Sequence, residues 1–282
     1  FRRVLFRSEN CEYELVTSLG RVKELVEDYQ KAEILCFDTE TDAPNPINAG
    51  LVGFSFSIEP SKASYIPVNV EGGLDEAAVC EILKPLFEND SSTKVAHNFK
   101  FDYTMLMRHG IEIKGKHFDT MVAAYLVDAN QKIKMDELAK KYLEYEPVPI
   151  TDLIGTGKAQ KSMADLSPQE VYEYACEDAD ITLQLYHILK DQMVKDELVE
   201  VAETCDFPLM QVLGDIEYQG VRLDSDMLGG FSVELENDLR ELQIQIFEKA
   251  GEEFNINSPA QLGVILFEKL GLPAGKKTKT GK

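Results

Sequence analysis

The sequence predicts an α/β fold, a mixed sheet with flanking helices, followed by a mainly helical segment. Three observations lead there. Short apolar runs at 34–40, 51–58 and 64–68 follow one another across breaker-rich joints, as the strands of a meander do. A further short strand is expected at 94–97 among stretches of helical spacing, the pattern of helices packed around a sheet. The first run also stops abruptly at Asp38 and Glu40, two acids one residue apart.

The elements follow in chain order. Residues 15–31 place Leu15, Leu19, Val22, Leu25 and Val26 at helical intervals and lead into the strand that ends at Asp38. Residues 42–50 are dense in Pro, Asn and Gly and form a loop. The runs at 51–58 and 64–68 are joined by Glu59, Pro60, Ser61 and Lys62. An amphipathic helix is expected over 74–87, a fourth strand over 94–97, and a helix over 98–108 that stops at Gly110. Further helices are expected over 120–127, 135–142 and 168–193, the last with Ser167 as cap and Pro168 at its first position. Beyond 204, a helix near 231–249 precedes a second one opened by Ser258 and Pro259.

Composition narrows the function. The chain has 282 residues, 44% hydrophobic and 28% charged, enough for one large globular domain or two ordinary ones. No apolar run approaches the roughly 18 residues of a membrane span. Cys11, Cys36, Cys80, Cys176 and Cys205 are scattered without zinc spacing and read as reduced thiols of a cytosolic protein. The net charge of −21 argues against a protein that grips nucleic acid by bulk electrostatics. Between Lys94 and His117, however, five Lys or Arg face two acids, a stretch that could meet a polyanion. From Glu170 to Asp206 eleven acids face two lysines, and part of that stretch could hold a cation.

Three constellations carry possible chemistry. In a strand, Asp38 and Glu40 project to one face, and two carboxylates that close repel each other unless a cation lies between them. A strand ending in solvated acids fits that pair about as well. Asn98 and Asp102 lie four apart on one face of a helix that starts at a strand end, with Lys100 available to a phosphate. The alternative is a helix capped by Asn98, with Asp102 as ordinary first-turn charge. Tyr174 and Asp178 again sit four apart, on a helix with a buried side, where an acid needs a reason. An edge-packing tyrosine beside a solvated acid is the competing reading.

In order, Asp-x-Glu at 38–40, Asn-x-x-Phe-Asp at 98–102 and Tyr-x-x-x-Asp at 174–178 resemble the three motifs of the DEDD superfamily of 3′-to-5′ exonucleases, across residues 33 to 186. The resemblance implies an RNase H-like fold. Glu173 stands where some members carry His, so the tyrosine branch is implied. It makes Asp38, Glu40, Asp102 and Asp178 the four carboxylates and Tyr174 the residue that positions the attacking water. None of the four has been lost. His97, His109, His117 and His187 match no catalytic position. The expected substrate contacts are Thr39, Asn98, Lys100 and Phe101.

Four carboxylates without a soft ligand suit two divalent cations, Mg2+ or Mn2+, about 3.5 to 4 Å apart. Asp38 would bridge both, Glu40 and Asp178 would complete the nucleophile side, and Asp102 would support the second ion through water. From 205 the chain, including Asn257-Ser258-Pro259, Gln261-Leu262 and Leu266-Phe267, resembles the start of the polymerase region of family A DNA polymerases, the bacterial polymerase I type, with the first part of its thumb.

The expected organisation is an extraneous edge at 1–8, an exonuclease domain over 9–204, and a partial thumb over 205–282. The implied activity is release of deoxynucleoside monophosphates from a single-stranded or frayed 3′ end of DNA, by a cytoplasmic monomer natively linked to the rest of a polymerase. Polymerisation itself is not expected of this stretch, because the palm and fingers carboxylates of such enzymes would lie past Lys282, and the 5′ nuclease domain common upstream in that family is not part of these 282 residues. Pro44 stands where some relatives carry a larger apolar wedge. The rival readings are an RNA exonuclease of the RNase D type and a non-catalytic nucleic-acid scaffold.

Overall fold

The computed structural model describes residues 11–273, so the expected edge at 1–8 and the lysine-rich run at 276–282 lie outside the described residues. Six strands form one sheet: β1 (Glu12–Leu15), β2 (Ile34–Thr41), β3 (Leu51–Glu59), β4 (Lys62–Pro67), β5 (Thr93–Ala96) and β6 (His117–Asp119), in the order β1-β4-β3-β2-β5-β6. The meander β2-β3-β4 is antiparallel, while β5 and β6 add in parallel on one side and β1 in parallel to β4 on the other. The helices are α1 (Leu19–Tyr29), α2 (Glu76–Phe87), α3 (Phe99–Arg108), α4 (Thr120–Val127), α5 (Met135–Tyr142), α6 (Ile150–Ile154), α7 (Pro168–Lys195), α8 (Val199–Val201), α9 (Phe207–Gln219), α10 (Ser225–Ala250) and α11 (Pro259–Gly263). Among the described residues no helix is long and apolar enough to cross a membrane.

Two strands go beyond the expected four. Glu12–Leu15 is an edge strand, and the helix read from Leu15 begins at Leu19, where Ser18 accepts the Arg21 amide. His117–Asp119 forms the opposite edge, three residues paired to β5. Both are short, and their strand character comes from partners elsewhere in the chain rather than from their own pattern.

The strand alternation of β2 sends its side chains to two different layers. Leu35 and Phe37 join Phe54, Phe56, Phe87 and the apolar faces of α1 and α2 in the main core, where Phe37 meets Phe87 edge-on at 5.0 Å. Cys36, Asp38 and Glu40 point the other way, toward α7. Cys36 Sγ donates to the Ala179 carbonyl at 3.2 Å, and the cross-strand partners of this face are small: Ser57 opposite Cys36, Ser55 opposite Asp38, Gly53 opposite Glu40. A second core of Val52, Ala63, Tyr65, Met163, Leu166, Val171, Ala175 and Cys176 fills the space beneath α7. Small residues on both surfaces bring the helix close to the sheet.

Helix α7 begins as expected, with Ser167 N and Oγ both donating to Glu170 Oε2 (2.9 and 2.7 Å). Past α8, a π-turn over Ala202–Asp206 leads into α9. Pro208 has no amide to bond the carbonyl four residues back, and the widened turn absorbs the missing bond. Helix α9 packs on α3, with Tyr103 Oη donating to Asp215 at 2.8 Å.

The chain divides into two compact units at Gly220/Val221, so α9 belongs with the sheet domain and the expected boundary at 204/205 falls inside that unit. The second unit opens with α10, whose cap Asp224 accepts the Met227 amide at 2.9 Å and extends the helix six residues ahead of the expected start. It ends at Gly251, where φ is 77°. Ser258 caps α11 as expected.

Gly53 tests the close packing. A Cβ there would stand 2.3 Å from the Tyr65 ring. Gly53→Ala is expected to lower stability by about 1–3 kcal/mol, as overpacking does; an unchanged urea midpoint would mean that the ring is free to move aside.

Candidate active site

The site stands at the carboxyl end of β2, and three elements build it. Strand alternation projects Asp38 and Glu40 together from β2, and α7 lays Asp178 over them. One ligand oxygen from each of Asp38, Glu40 and Asp178 lies within 4.8 Å of the others. Glu40 is buried, and its Oε1 has no hydrogen-bond partner among the described residues. A buried, unpartnered carboxylate oxygen facing two more carboxylates is the donor set of a hard divalent cation, so the residues fit a metal.

Asp102 arrives from the opposite face of the sheet. Helix α3 follows β5, and Asp102 in its first turn is 1% exposed. One oxygen, Oδ1, accepts from Thr39 N at 3.0 Å and Thr39 Oγ1 at 2.5 Å. Thr39, the residue between Asp38 and Glu40, therefore ties Asp102 to the strand that carries the pair. Its hydroxyl is turned inward to Asp102.

Electrostatics reflect the crowding. Burial pushes the Asp38 carboxyl up to about 7. Burial first and the Asp38 charge second hold Glu40, Asp102 and Asp178 well above the usual carboxylate range. Tyr174, one turn before Asp178 on α7, donates its hydroxyl to the Asp178 carboxylate. Burial, then the charge of Asp178, raises the phenol far above its ordinary value, so Tyr174 stays protonated.

The remaining expected contacts are placed less uniformly. Asn98 is exposed, with φ 71° and ψ 48°, and its side chain makes no cap bond, which corrects the alternative of an ordinary Asn cap. The capping oxygens come from Asp119 instead. Phe101 is half-buried against the main core. Lys100 lies two residues from Asp102, on the side of α3 that meets α9, where its Nζ pairs with Glu217. The basic stretch expected to face a polyanion is largely used inside the fold. Lys94 is fully buried, its Nζ donating to Ser92 Oγ at 2.8 Å and to the Asn89 carbonyl. Arg108 holds the Pro46 and Ala49 carbonyls of the 42–50 loop at 2.7 and 2.5 Å. Lys114 and Lys116 pair with Glu112 and Glu203.

Several residues escaped the sequence reading. Glu177 is buried and accepts from Val148 N at 3.0 Å and from Tyr145 Oη. Asp180, fully buried, accepts from Tyr13 Oη, Ser61 N and Gln184 Nε2 at 2.9, 2.8 and 2.7 Å. These acids flank Asp178 in sequence yet anchor α7 to other segments. Asp119 carried one legible signal, its place just before a helix start.

The four raised carboxylates make the fold sensitive to pH in a stated direction. A carboxyl whose proton affinity rises on folding favours the fold below its unfolded value, 3.8 for Asp38, and loses that contribution as pH climbs through about 7. A bound cation replaces the lost protons. Excess Mg2+ is therefore expected to raise the thermal midpoint more at about pH 8 than at about pH 5. Equal shifts at both pH values would remove the cluster as the cation site.

Comparison with known proteins fits this geometry. The family model described as 3′-5′ exonuclease matches residues 13–194, and that of DNA polymerase family A matches residues 225–282. The DNA polymerase I of Rhizobium leguminosarum is 36% identical over 97% of this chain and 29% of its own length. That of Pseudomonas aeruginosa is 35% identical over 96% and 31%. The chain thus spans about three tenths of the length of these relatives. Among solved structures, the POL domain of Pol1 from M. smegmatis, in complex with DNA primer-template and dNTP, aligns with a TM-score of 0.77 at 20% identity. That alignment covers 95% of this chain and 43% of the other, and shows the shared fold. With a family model spanning its sheet, its α7 and all four crowded carboxylates, the chain belongs to the 3′-5′ exonuclease family, joined through residues 225–282 to that of the family A DNA polymerases.

Proposed function

We propose that the chain is the proofreading 3′-5′ exonuclease part of a family A DNA polymerase. It hydrolyses the terminal phosphodiester of a single-stranded or frayed 3′ end of DNA and releases a deoxynucleoside monophosphate. The observation that carries this reading is the meeting of Asp38, Glu40 and Asp178 around an unpartnered Glu40 oxygen. Bacterial DNA polymerase I relatives support the choice of DNA over RNA, and a cytoplasmic site of action. The monomeric state and the native link to a polymerase part belong to the same proposal.

Two divalent cations, Mg2+ or Mn2+, suit a donor set made of carboxylates alone. Asp38, Glu40 and Asp178 would hold one, and Asp38 with Asp102 would attend the second. When bound, the cations lower the pKa of water and neutralise charge on the phosphoryl group.

The chain's own residues orient and select. Tyr174 donates to Asp178, which leaves a lone pair on its phenol oxygen to accept a hydrogen bond from the attacking water and hold it in line. Thr39 keeps Asp102 beside Asp38. Asn98, exposed and without a cap bond, is free to meet the substrate, and Phe101 offers it a half-buried ring. Mispaired ends are preferred because they cost less to unpair. Lys100 would contact a phosphate only by exchanging Glu217 for it.

The test is a 3′-labelled single-stranded oligodeoxynucleotide with Mg2+ titrated from zero. Mononucleotide release that stops with chelator is expected, and its absence at every Mg2+ concentration would leave a non-catalytic scaffold. Faster release from the matching RNA would favour an RNA-processing enzyme. Asp38→Ala and Asp178→Ala should each lower the rate by about a thousandfold, the scale of several kcal/mol of lost charge stabilisation. Tyr174→Phe should slow release by about 10- to 100-fold with Mn2+ affinity nearly unchanged; a fully active variant would take Tyr174 out of the mechanism.

A further inference from the structure

Asp119 closes β6 and caps two helices at once. Its Oδ1 accepts from Met121 N at 2.7 Å and Val122 N at 3.4 Å, at the start of its own helix α4. The same carboxylate reaches across to α3, where Oδ1 accepts from Asn98 N at 3.1 Å and Oδ2 from Phe99 N at 2.9 Å. It does so because Asp119 is paired in register with Ala96, the last residue of β5, so the two strand ends lie side by side. The side chain is 3% exposed. Burial raises its proton affinity, and the four amides oppose that rise.

Among the described residues helix α3 has no other such cap. Asn98 occupies the cap position in a left-handed conformation, and its side chain bonds no amide. The first amides of a helix have no partner within it, so an outside acceptor decides where the first turn sits. A neighbouring contact stiffens the junction: Thr120 Oγ1 bonds the Ala96 carbonyl at 3.3 Å and meets His97 Nδ1 at 2.8 Å. Asp102 belongs to that first turn, and its Oδ1 must reach Thr39 N and Oγ1 across the end of the sheet. A small rotation of the turn would carry the carboxylate away from Asp38.

We propose that Asp119 is a positioning residue of the active site: by capping α3 from β6 it sets Asp102 against Thr39 and so builds the side of the site where Asp102 stands. The inference rests on the exonuclease reading for the role of Asp102 beside a second cation. It predicts a selective defect, because Asp38, Glu40 and Asp178 are held by β2 and α7.

Two variants test it in the 1–282 chain. Asp119→Ser keeps a short cap for α4 but cannot span to α3, and Asp119→Asn keeps the size while replacing one acceptor oxygen by a donor. Mn2+ binding is followed by EPR in the presence of thymidine 5′-monophosphate, beside the Mn2+ dependence of nucleotide release. In both variants the tighter Mn2+ should bind as in wild type, while the weaker one loses about tenfold or more in affinity, the usual scale for an outer residue that orients a metal ligand. Release should recover at high Mn2+. Asp75→Ala, which removes the cap of α2, should lower the thermal midpoint and leave both Mn2+ affinities alone. Variants of Asp119 that lose stability but keep both affinities would reduce it to a structural cap and overturn the proposal, as would a wild type that binds one Mn2+. If Asp119→Ser does not fold, Asp119→Asn decides on the same readout. A wild type that binds two Mn2+ without releasing nucleotide would defeat the exonuclease reading, and the Mn2+ comparison would still judge Asp119.

Discussion

Four carboxylates crowded at the end of β2 repel one another, and the rest of the sheet domain is arranged to hold them there. Burial makes the repulsion severe, since low dielectric strengthens it and removes the water that would relieve it. The fold answers by bringing the acids in on stiff elements from different directions. Asp38 and Glu40 are fixed by the alternation of a central strand, Asp178 by a 28-residue helix laid over one face, and Asp102 by a helix on the other. None of these elements can relax without disturbing a core. A cation is the natural resolution of the charge.

The acids outside the cluster explain how it is kept in place. Glu177, Asp180 and Asp119 are all buried, and each satisfies its charge with amides or hydroxyls drawn from distant segments. Hydrogen bonds to a charged acceptor are among the stronger ones available, which suits them to joining elements rather than filling space. Helix α7 thereby carries three buried acids within four residues, two that anchor it and one that it delivers. The smallness of Ser55, Ser57, Gly53, Ala175 and Ala179 is the complementary requirement, because bulkier side chains would lift α7 and separate Asp178 from β2.

The charge distribution takes on a different meaning in three dimensions. A net charge of −21 and a basic stretch in sequence suggested a local meeting place for a polyanion. In the fold, Lys94 closes a loop from inside, Arg108 braces the 42–50 loop, and the other cations of the stretch are paired with acids. On the proposed function, attraction for a nucleic-acid end would fall to the carboxylate site once it holds cations, and to neutral groups around it.

By itself the sequence determined the local features: the meander, the long helix with its Ser167 start, and the three acidic motifs whose spacing names their faces. Alternation in a strand and the turn of a helix are local rules, so Asp38 with Glu40, and Tyr174 with Asp178, could be paired before any fold was known. The edge strands at Glu12–Leu15 and His117–Asp119 were out of reach, since three or four residues become a strand only through the neighbour they pair with. The same reason hid the partners of Lys100 and the double cap of Asp119. Only the tertiary structure decided that Asp102 approaches β2 from the face opposite α7, that Asp119 rather than Asn98 caps the helix carrying it, and that the acids beside Asp178 are anchors. Those outcomes depend on contacts between segments tens of residues apart, and spacing along the chain carries no record of them.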